Sequence, residues 1–168
     1  MRAALLALLL AVSSPNGLVL RDMPEGWARA DGVLDVTAAC SQRWVGAPVP
    51  RSTAWDAFQG GGLPAPTVWT YTYSMKSSAA AREYVRRVKG LVGCTWTTPS
   101  QERRWTAAEL VGPKVSVPSA AVRFTSPDTL APVDLVAMAH GSRVGVVAAA
   151  LVRPDELRRL ARLVARRL

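Results

Sequence analysis

The sequence contains few of the residue types that metal sites and many hydrolases require. There is one histidine, His140, and there are two cysteines, Cys40 and Cys94, in 168 residues. The cysteines lie far apart and form no C-x-x-C motif, so the pattern predicts neither a zinc site nor a thioredoxin-like redox centre. We therefore expect no metal and no cofactor, and mechanisms that need two histidines are excluded.

The sequence also lacks an apolar run long enough to cross a bilayer, which takes about 20 residues. The N-terminal apolar run, residues 3–12, has ten residues, with Arg2 before it and Ser13 and Ser14 after it. This layout is typical of a secretory signal peptide. We predict a signal peptide over residues 1–13 and a secreted, extracytoplasmic domain over residues 14–168. The alternative is that residues 3–12 form the first core helix.

Negative charge is scarce relative to positive charge. Lysine and arginine number 21 against 12 aspartates and glutamates, which gives a formal net charge of +9. Such an excess favours an anionic partner, although it also fits a solvated surface. For an exported protein we expect no nucleic acid, and instead an anionic cell-envelope component, with membrane contact at most peripheral.

In an exported protein two cysteines most simply pair. We therefore predict a disulfide between Cys40 and Cys94. The alternative is a pair of free, buried thiols in a cytosolic protein.

Hydrophobic periodicity predicts strands and two amphipathic helices. Residues 68–74 alternate β-branched and aromatic side chains, as a strand does. A helix with Ala81, Tyr84, Val85, Val88 and Val92 on one face follows the capping residue Ser77 or Ser78. Further strands are predicted near residues 33–39, 120–124, 133–139 and 143–151, and residues 60–66 form a surface loop. This order predicts an α+β fold, a single domain with an antiparallel sheet, helices packed on it, and one disulfide.

Pro154, Asp155 and Glu156 are typical of a helix N-terminus and begin the last predicted helix. Its apolar face consists of Leu157, Leu160, Ala161, Val164 and Leu168. Arginines, including Arg167, cover the remainder, and the candidate basic face is Arg158, Arg159, Arg162 and Arg166.

Aromatic side chains are the candidate ligand-binding residues. Tryptophan and tyrosine combine a large apolar surface with one polar atom, so they can line a cleft as well as a core. The candidates are Trp44, Trp55, Trp105, Tyr71 and Tyr73. The alternative is that most of them are core residues.

His140 is the only histidine available to a catalytic triad, with Ser142 and Asp134 near it in sequence. A triad also needs an oxyanion hole and an aimed nucleophile, and nothing in the pattern predicts these. A cell-envelope hydrolase that uses His140 is therefore the alternative to a protein with no catalytic residues.

The order of these features resembles the PknH-like extracellular sensor domains of actinobacteria. The resemblance covers most of residues 18–168. It rests on residues 23–27 (MPEGW), Cys40, the aromatic strand at 69–73, the helix that begins at 79–82 (AAAR) and ends before Cys94, the final hairpin, and the helix 154–168. It implies an α+β fold with a cleft on the sheet and a non-catalytic, ligand-sensing role. We therefore expect an exported sensor-like domain that binds an unidentified small ligand or envelope component in a cleft. An interaction protein that uses the basic C-terminal helix is a further alternative.

Overall fold

The computed structural model describes residues 16–98 and 103–168. In these residues the chain forms one eight-stranded antiparallel sheet with the strand order β1-β2-β3-β8-β7-β6-β5-β4. The predicted α+β class and the single sheet with packed helices are confirmed. The strands are β1 (Ala28–Arg29), β2 (Ser52–Gln59), β3 (Thr67–Ser74), β4 (Thr95–Thr98), β5 (Arg103–Glu109), β6 (Ser119–Thr125), β7 (Val133–His140) and β8 (Arg143–Ala150), and the α-helices are α1 (Ser78–Lys89) and α2 (Pro154–Arg167).

The centre of the sheet is the hairpin of β7 and β8, paired on one side with β3. Both hairpin strands are buried on both faces, which explains their nearly continuous apolar sequences. Gly141 makes the turn with φ of +55°, a left-handed conformation that glycine adopts readily. The predicted hairpin is therefore confirmed.

The two helices cover opposite faces of the sheet. Helix α1 begins at the predicted cap, where the Ser77 hydroxyl accepts a hydrogen bond from the Ala80 N–H. On the other face, α2 approaches β8 so closely that a Cβ at Gly145 would lie 2.5 Å from a Val164 methyl carbon. The buried residues of α1 are Ala81, Tyr84, Val85 and Val88, and those of α2 are Leu157, Leu160, Ala161, Val164 and Ala165.

Two local predictions are wrong, and part of the sheet was not foreseen. Residues 33–39 are not a strand but contain a short 3-10 helix, Val36–Ala38, because the Asp35 carboxylate accepts hydrogen bonds from the backbone of Thr37 and Ala38. Val92 lies beyond the end of α1 and is exposed. Strand β2, which holds Trp55, was not predicted.

A partly buried ion pair joins the start of the described chain to α2. Arg167 donates to both carboxylate oxygens of Asp22, at 2.6 and 2.8 Å, and also to the Gly17 carbonyl at 2.8 Å. Arg159 reaches the Asp22 carbonyl from the same helix. Arg167 therefore does not belong to the solvent-exposed arginine face on which the sequence pattern placed it.

No helix in the described part of the chain combines the length and the apolar character that a membrane crossing requires.

We expect Asp22→Asn to lower the free energy of unfolding by about 1.5–3 kcal/mol at pH 7, the usual worth of hydrogen bonds to a charged group. The Arg167 hydrogen bonds hold the pKa of Asp22 below its ordinary value of 3.8. A carboxylate with a lowered pKa stabilises the fold above pH 4 and loses that contribution as the pH falls through its folded pKa. Urea unfolding at pH 7 and pH 3 should therefore show a smaller difference from wild type at the lower pH. The exposed Asp31→Asn is the matched control, and an equal effect of both substitutions would contradict the assignment.

Candidate functional site

Three tyrosine rings meet between the sheet and α1, and we call Tyr71, Tyr73 and Tyr84 the aromatic cluster. Tyr71 and Tyr73 alternate on the face of β3 that α1 covers, and their ring centroids lie 6.1 Å apart. Tyr84 of α1 packs on Tyr73 at 5.2 Å and on Trp44 at 5.1 Å, with tilted ring planes in both pairs. Such contacts between aromatic rings are favourable beyond their buried area. A strand and a helix therefore position this cluster.

Residues 34–50, which we call the cover segment, lie against the aromatic cluster. The Tyr71 hydroxyl holds the start of the segment, because it accepts from the Leu34 N–H at 2.7 Å and donates to the Leu34 carbonyl at 2.8 Å. The Trp44 indole N–H donates to the Ala39 carbonyl at 3.0 Å. Arg87 of α1 donates to the Arg43 carbonyl at 3.0 Å. These bonds fix an irregular segment that contains no strand.

The Cys40–Cys94 disulfide joins the cover segment to the chain just after α1. The two Cα atoms lie 6.3 Å apart, and both residues are buried. The predicted pairing is confirmed, since this separation lies within the range of protein disulfides. Cys40 has a left-handed backbone with φ of +52°, uncommon for a residue other than glycine. The covalent link therefore adds to the hydrogen bonds that hold the segment.

An open cavity of about 320 Å³ lies between the cover segment and the aromatic cluster, and we call it the aromatic cavity. None of its lining residues carries a charge at neutral pH. They are Thr37, Trp44, Ala47, Pro48, Val49, Pro50, Thr53, Tyr73 and Tyr84.

The tyrosines of this region stay neutral at physiological pH. Burial raises the pKa of Tyr84 to about 12 and that of Tyr71 to about 12, and it also raises the pKa of Tyr73. The Tyr84 hydroxyl is buried beside the Tyr73 hydroxyl, whose hydrogen bond acts on the pKa of Tyr84 in the opposite direction to burial.

Two other cavities have similar volumes but a different character. A cavity of about 340 Å³ near the end of α1 includes Lys89 and Glu109, and one of about 370 Å³ beside Trp27 includes Arg153 and Glu156. Neither brings several aromatic side chains together. The aromatic cavity is therefore the better candidate for a specific small-molecule site.

The structure brings together only some of the predicted ligand-binding residues. Trp44 and Tyr73 line the aromatic cavity, and Tyr71 lies beside Tyr73 and anchors the cover segment. Trp55 lies opposite Tyr71 on β2, 38% exposed and outside the cavity lining. Trp105 pairs instead with Trp96 across β5 and β4, with ring centroids 6.2 Å apart.

Sequence reasoning did not select Tyr84 or the Pro48-Val49-Pro50 stretch as ligand-binding residues. Tyr84 was assigned to the apolar face of a helix. One sequence signal could have identified Tyr84 as a cavity residue. It is a tyrosine on the buried face of a helix that directly follows an aromatic strand. The proline stretch carried a weaker signal for a binding site, namely an apolar residue, Val49, that lies in a loop between two prolines.

The predicted basic face divides into paired and unpaired arginines. Arg159 binds Glu156 through two hydrogen bonds of 2.9 and 2.7 Å. Arg158, Arg162 and Arg166 are exposed and have no ion-pair partner among the described residues. They are four residues apart and therefore align along one side of α2. We call these three residues the arginine row.

His140 is exposed at the tip of the β7–β8 hairpin, beside Gly141. Asp134 lies six residues earlier on β7, which is about 20 Å along an extended strand. It accepts two hydrogen bonds from Arg123, at 2.6 and 2.7 Å. Asp134 is therefore not in a position to orient His140. Across residues 16–98 and 103–168, no three His, Cys, Asp or Glu side chains are grouped as metal ligands.

No protein-family model matches the chain, and no curated protein matches it. Among solved structures it is similar to the extracellular domain of PknH from Mycobacterium tuberculosis, with a TM-score of 0.57 and 18% identity, over 76% of this chain and 69% of that one. A Rv0999 ortholog from Mycobacterium smegmatis matches with a TM-score of 0.43 and 13% identity, over 87% of this chain and 79% of that one.

We expect the double substitution Cys40→Ser and Cys94→Ser to lower the free energy of unfolding by about 4 kcal/mol, from the chain-entropy model for a sequence separation of 54. The cover segment should also become sensitive to limited proteolysis, because its covalent link is lost. Urea unfolding and protease mapping measure the two effects. Reduced wild-type protein is the control and should match the variant. Retention of wild-type stability by both samples would contradict a structural role for the bond.

The comparison with the PknH extracellular domain confirms the predicted resemblance at the level of the fold.

Proposed function

We propose that this protein is an exported, sensor-like domain that binds a small ligand in the aromatic cavity. The observation that carries the proposal is the cavity itself, where Trp44 of the covalently fixed cover segment meets Tyr73 and Tyr84. Pre-formed, mostly apolar cavities with a few polar groups are typical ligand sites.

Two further observations support an extracytoplasmic sensor role. A solved structure with a similar fold is described as an extracellular domain. Disulfides such as Cys40–Cys94 persist mainly in oxidising compartments. A cleaved signal peptide over residues 1–13 would deliver the chain there. That segment lies outside the described residues, so its cleavage remains part of the proposal.

The chemistry of the aromatic cavity favours binding over catalysis. Its titratable side chains are tyrosines whose pKa values are raised by burial, to about 12 for Tyr84. A general acid or base works best when its pKa lies near the working pH. His140, the residue of the hydrolase alternative, stands at a hairpin tip without Asp134 beside it. We therefore propose a non-enzymatic role.

The arginine row supports a second function, contact with an anionic cell-envelope polymer. Like charges four residues apart on a helix are mutually destabilising, and Arg158, Arg162 and Arg166 have no acidic partner among the described residues to offset this. A polymer with regularly placed negative charges would supply the missing counter-charge. Such a contact would be peripheral to any membrane.

To test ligand binding, an aromatic fragment library can be screened by ligand-observed NMR against wild type, Trp44→Ala and Trp55→Ala. We expect the hits to bind wild type and Trp55→Ala but to lose most of their signal with Trp44→Ala. Trp44 lines the cavity, whereas Trp55 carries the same ring outside it. Circular dichroism checks that both variants are folded. Hits that bind all three proteins equally, or no hits at all, would refute the proposed site.

The arginine row is tested by the triple charge reversal Arg158→Glu, Arg162→Glu and Arg166→Glu. Binding to isolated cell envelope should fall several-fold, and wild-type binding should weaken with added salt because exposed charges are screened within about 10 Å at 0.1 M. The control reverses Arg51, Arg82 and Arg104, which are exposed at separate places and change the net charge equally. Equal loss in both triple variants would show that net charge, and not the row, is responsible.

A further inference from the structure

We propose that one end of the sheet is a docking surface for a lipid bilayer, into which three leucines insert. The leucines are Leu63, Leu130 and Leu151, and we call them the leucine tips. They belong neither to the aromatic cavity nor to the arginine row, so bilayer docking is a further function of the fold.

The strand register brings the leucine tips to the same end of the sheet. A row of directly paired residues closes this end, and from β2 to β7 it consists of Gln59, Thr67, Ala150 and Val133. Leu63 lies in loop 60–66 between β2 and β3, Leu151 directly follows β8, and Leu130 lies in loop 126–132 before β7. Neighbouring strands are about 4.8 Å apart, so the row is roughly 15 Å wide.

The side chains of the leucine tips are in solvent. Leu63 is 100% exposed and Leu130 is 87% exposed, and Leu151 is also among the exposed large apolar residues. A single exposed leucine is ordinary on a protein surface. Exposed apolar side chains that are grouped at one place mark an interaction site.

Internal contacts order loop 60–66 below Leu63. The Gly60 N–H donates to the Pro66 carbonyl at 2.9 Å and closes the loop. The Trp27 indole packs against the base of the loop, because a Cβ at Gly60 would lie 3.0 Å from an indole carbon. Leu63 therefore projects from an ordered loop into solvent.

The other two leucines are also held in place. In loop 126–132 the N–H and the hydroxyl of Thr129 both donate to the Ser126 carbonyl, at 3.3 and 3.1 Å, and Leu130 follows in solvent. Leu151 has a left-handed backbone with φ of +59°, which is strained for leucine. Backbone strain of this kind is concentrated at functional positions. The fold thus maintains an exposed leucine at the cost of strain.

The shape of this end favours a bilayer over a protein partner. A stable protein interface buries about 800 Å² of closely fitting surface on each partner. The leucine tips are separate projections on different loops, and fluid lipid can surround such projections without a complementary shape. Loop 60–66 contains no charged residue, and loop 126–132 contains only Asp128. Insertion of the tips therefore removes little charge from water.

The surroundings of the tips indicate attachment by apolar burial. Trp27 lies beside loop 60–66, and tryptophan is enriched where membrane and water meet. Arg153 is paired with Asp155, and the exposed acids Glu25 and Asp128 add negative charge near the tips. The net charge of +9 draws the whole protein toward an anionic bilayer, but charge at this end does not hold it there.

Vesicle co-sedimentation of the full chain tests the proposal, with phosphatidylcholine vesicles that do or do not contain phosphatidylglycerol. We expect Leu63→Ser combined with Leu130→Ser to lower the partition coefficient about 100-fold, since burial of one leucine side chain contributes about tenfold or more. The matched control combines Val49→Ser and Val111→Ser, which are 82% and 94% exposed away from this end, and should bind as wild type.

Two further measurements locate the contact. Leu151→Asn keeps a backbone conformation that asparagine adopts more readily than leucine, so the fold should be retained while binding falls several-fold. Hydrogen exchange with bound vesicles should slow in residues 60–66 and 126–132 but not in residues 45–50. All variants keep the N-terminal apolar run, so its contribution to binding is the same in each. Circular dichroism checks that the variants are folded.

Several outcomes would overturn bilayer docking by the leucine tips. They are wild-type protein that binds neither kind of vesicle, a leucine variant that partitions as wild type, and an equal loss in the valine control. Binding that requires phosphatidylglycerol and disappears with salt would assign the attachment to arginines instead. A leucine variant that binds vesicles normally but loses binding to isolated cell envelope would identify a protein partner instead of lipid.

Discussion

The candidate site depends on how an irregular segment is held against a regular sheet. Residues 34–50 contain only short 3-10 helices and have no core of their own, so contacts with other elements must order them. The Cys40–Cys94 disulfide supplies one covalent link, and the Tyr71 hydroxyl supplies two hydrogen bonds to Leu34. Without these attachments Trp44 would not be fixed over Tyr84, and the cavity would lose one wall. The disulfide is thus part of the site as well as of the fold.

The sheet beneath provides the rigidity that such a site needs. Strand β3 lies between β2 and β8 and pairs with each over eight residues, so its tyrosines have little freedom to move. On the opposite face of the sheet α2 packs on β8 and β7, and the Asp22–Arg167 pair joins α2 to the start of the described chain. Binding residues positioned by a strand and a helix keep their geometry better than residues that lie only in loops. Trp44 lies in the irregular cover segment, and this segment is the part of the site that the disulfide holds in place.

Elements with strong periodicity were predictable from the sequence, and those defined by tertiary contacts were not. Strand β3, the β7–β8 hairpin and both helices follow from alternation, capping residues and apolar stripes that local physics determines. The prediction of a strand at residues 33–39 is wrong because the N–H groups of Thr37 and Ala38 donate to the Asp35 carboxylate, and this overrides the β-branched composition. Of the predicted aromatic residues, Trp44 and Tyr73 line the cavity, whereas Trp55 and Trp105 do not, because strand register decides which rings converge. No single-sequence pattern encodes that register.

The two candidate binding surfaces lie on opposite faces of the sheet and differ in charge. The aromatic cavity lies on the α1 face and has an uncharged lining, whereas the arginine row lies on α2 and consists only of cations. A net charge of +9 draws anions toward the whole surface. Desolvation works against them inside the uncharged cavity, so an anionic polymer at the arginine row would not compete with a ligand in the cavity. The packing of the shared sheet, where β8 contacts both helices, is the structural connection between the two surfaces.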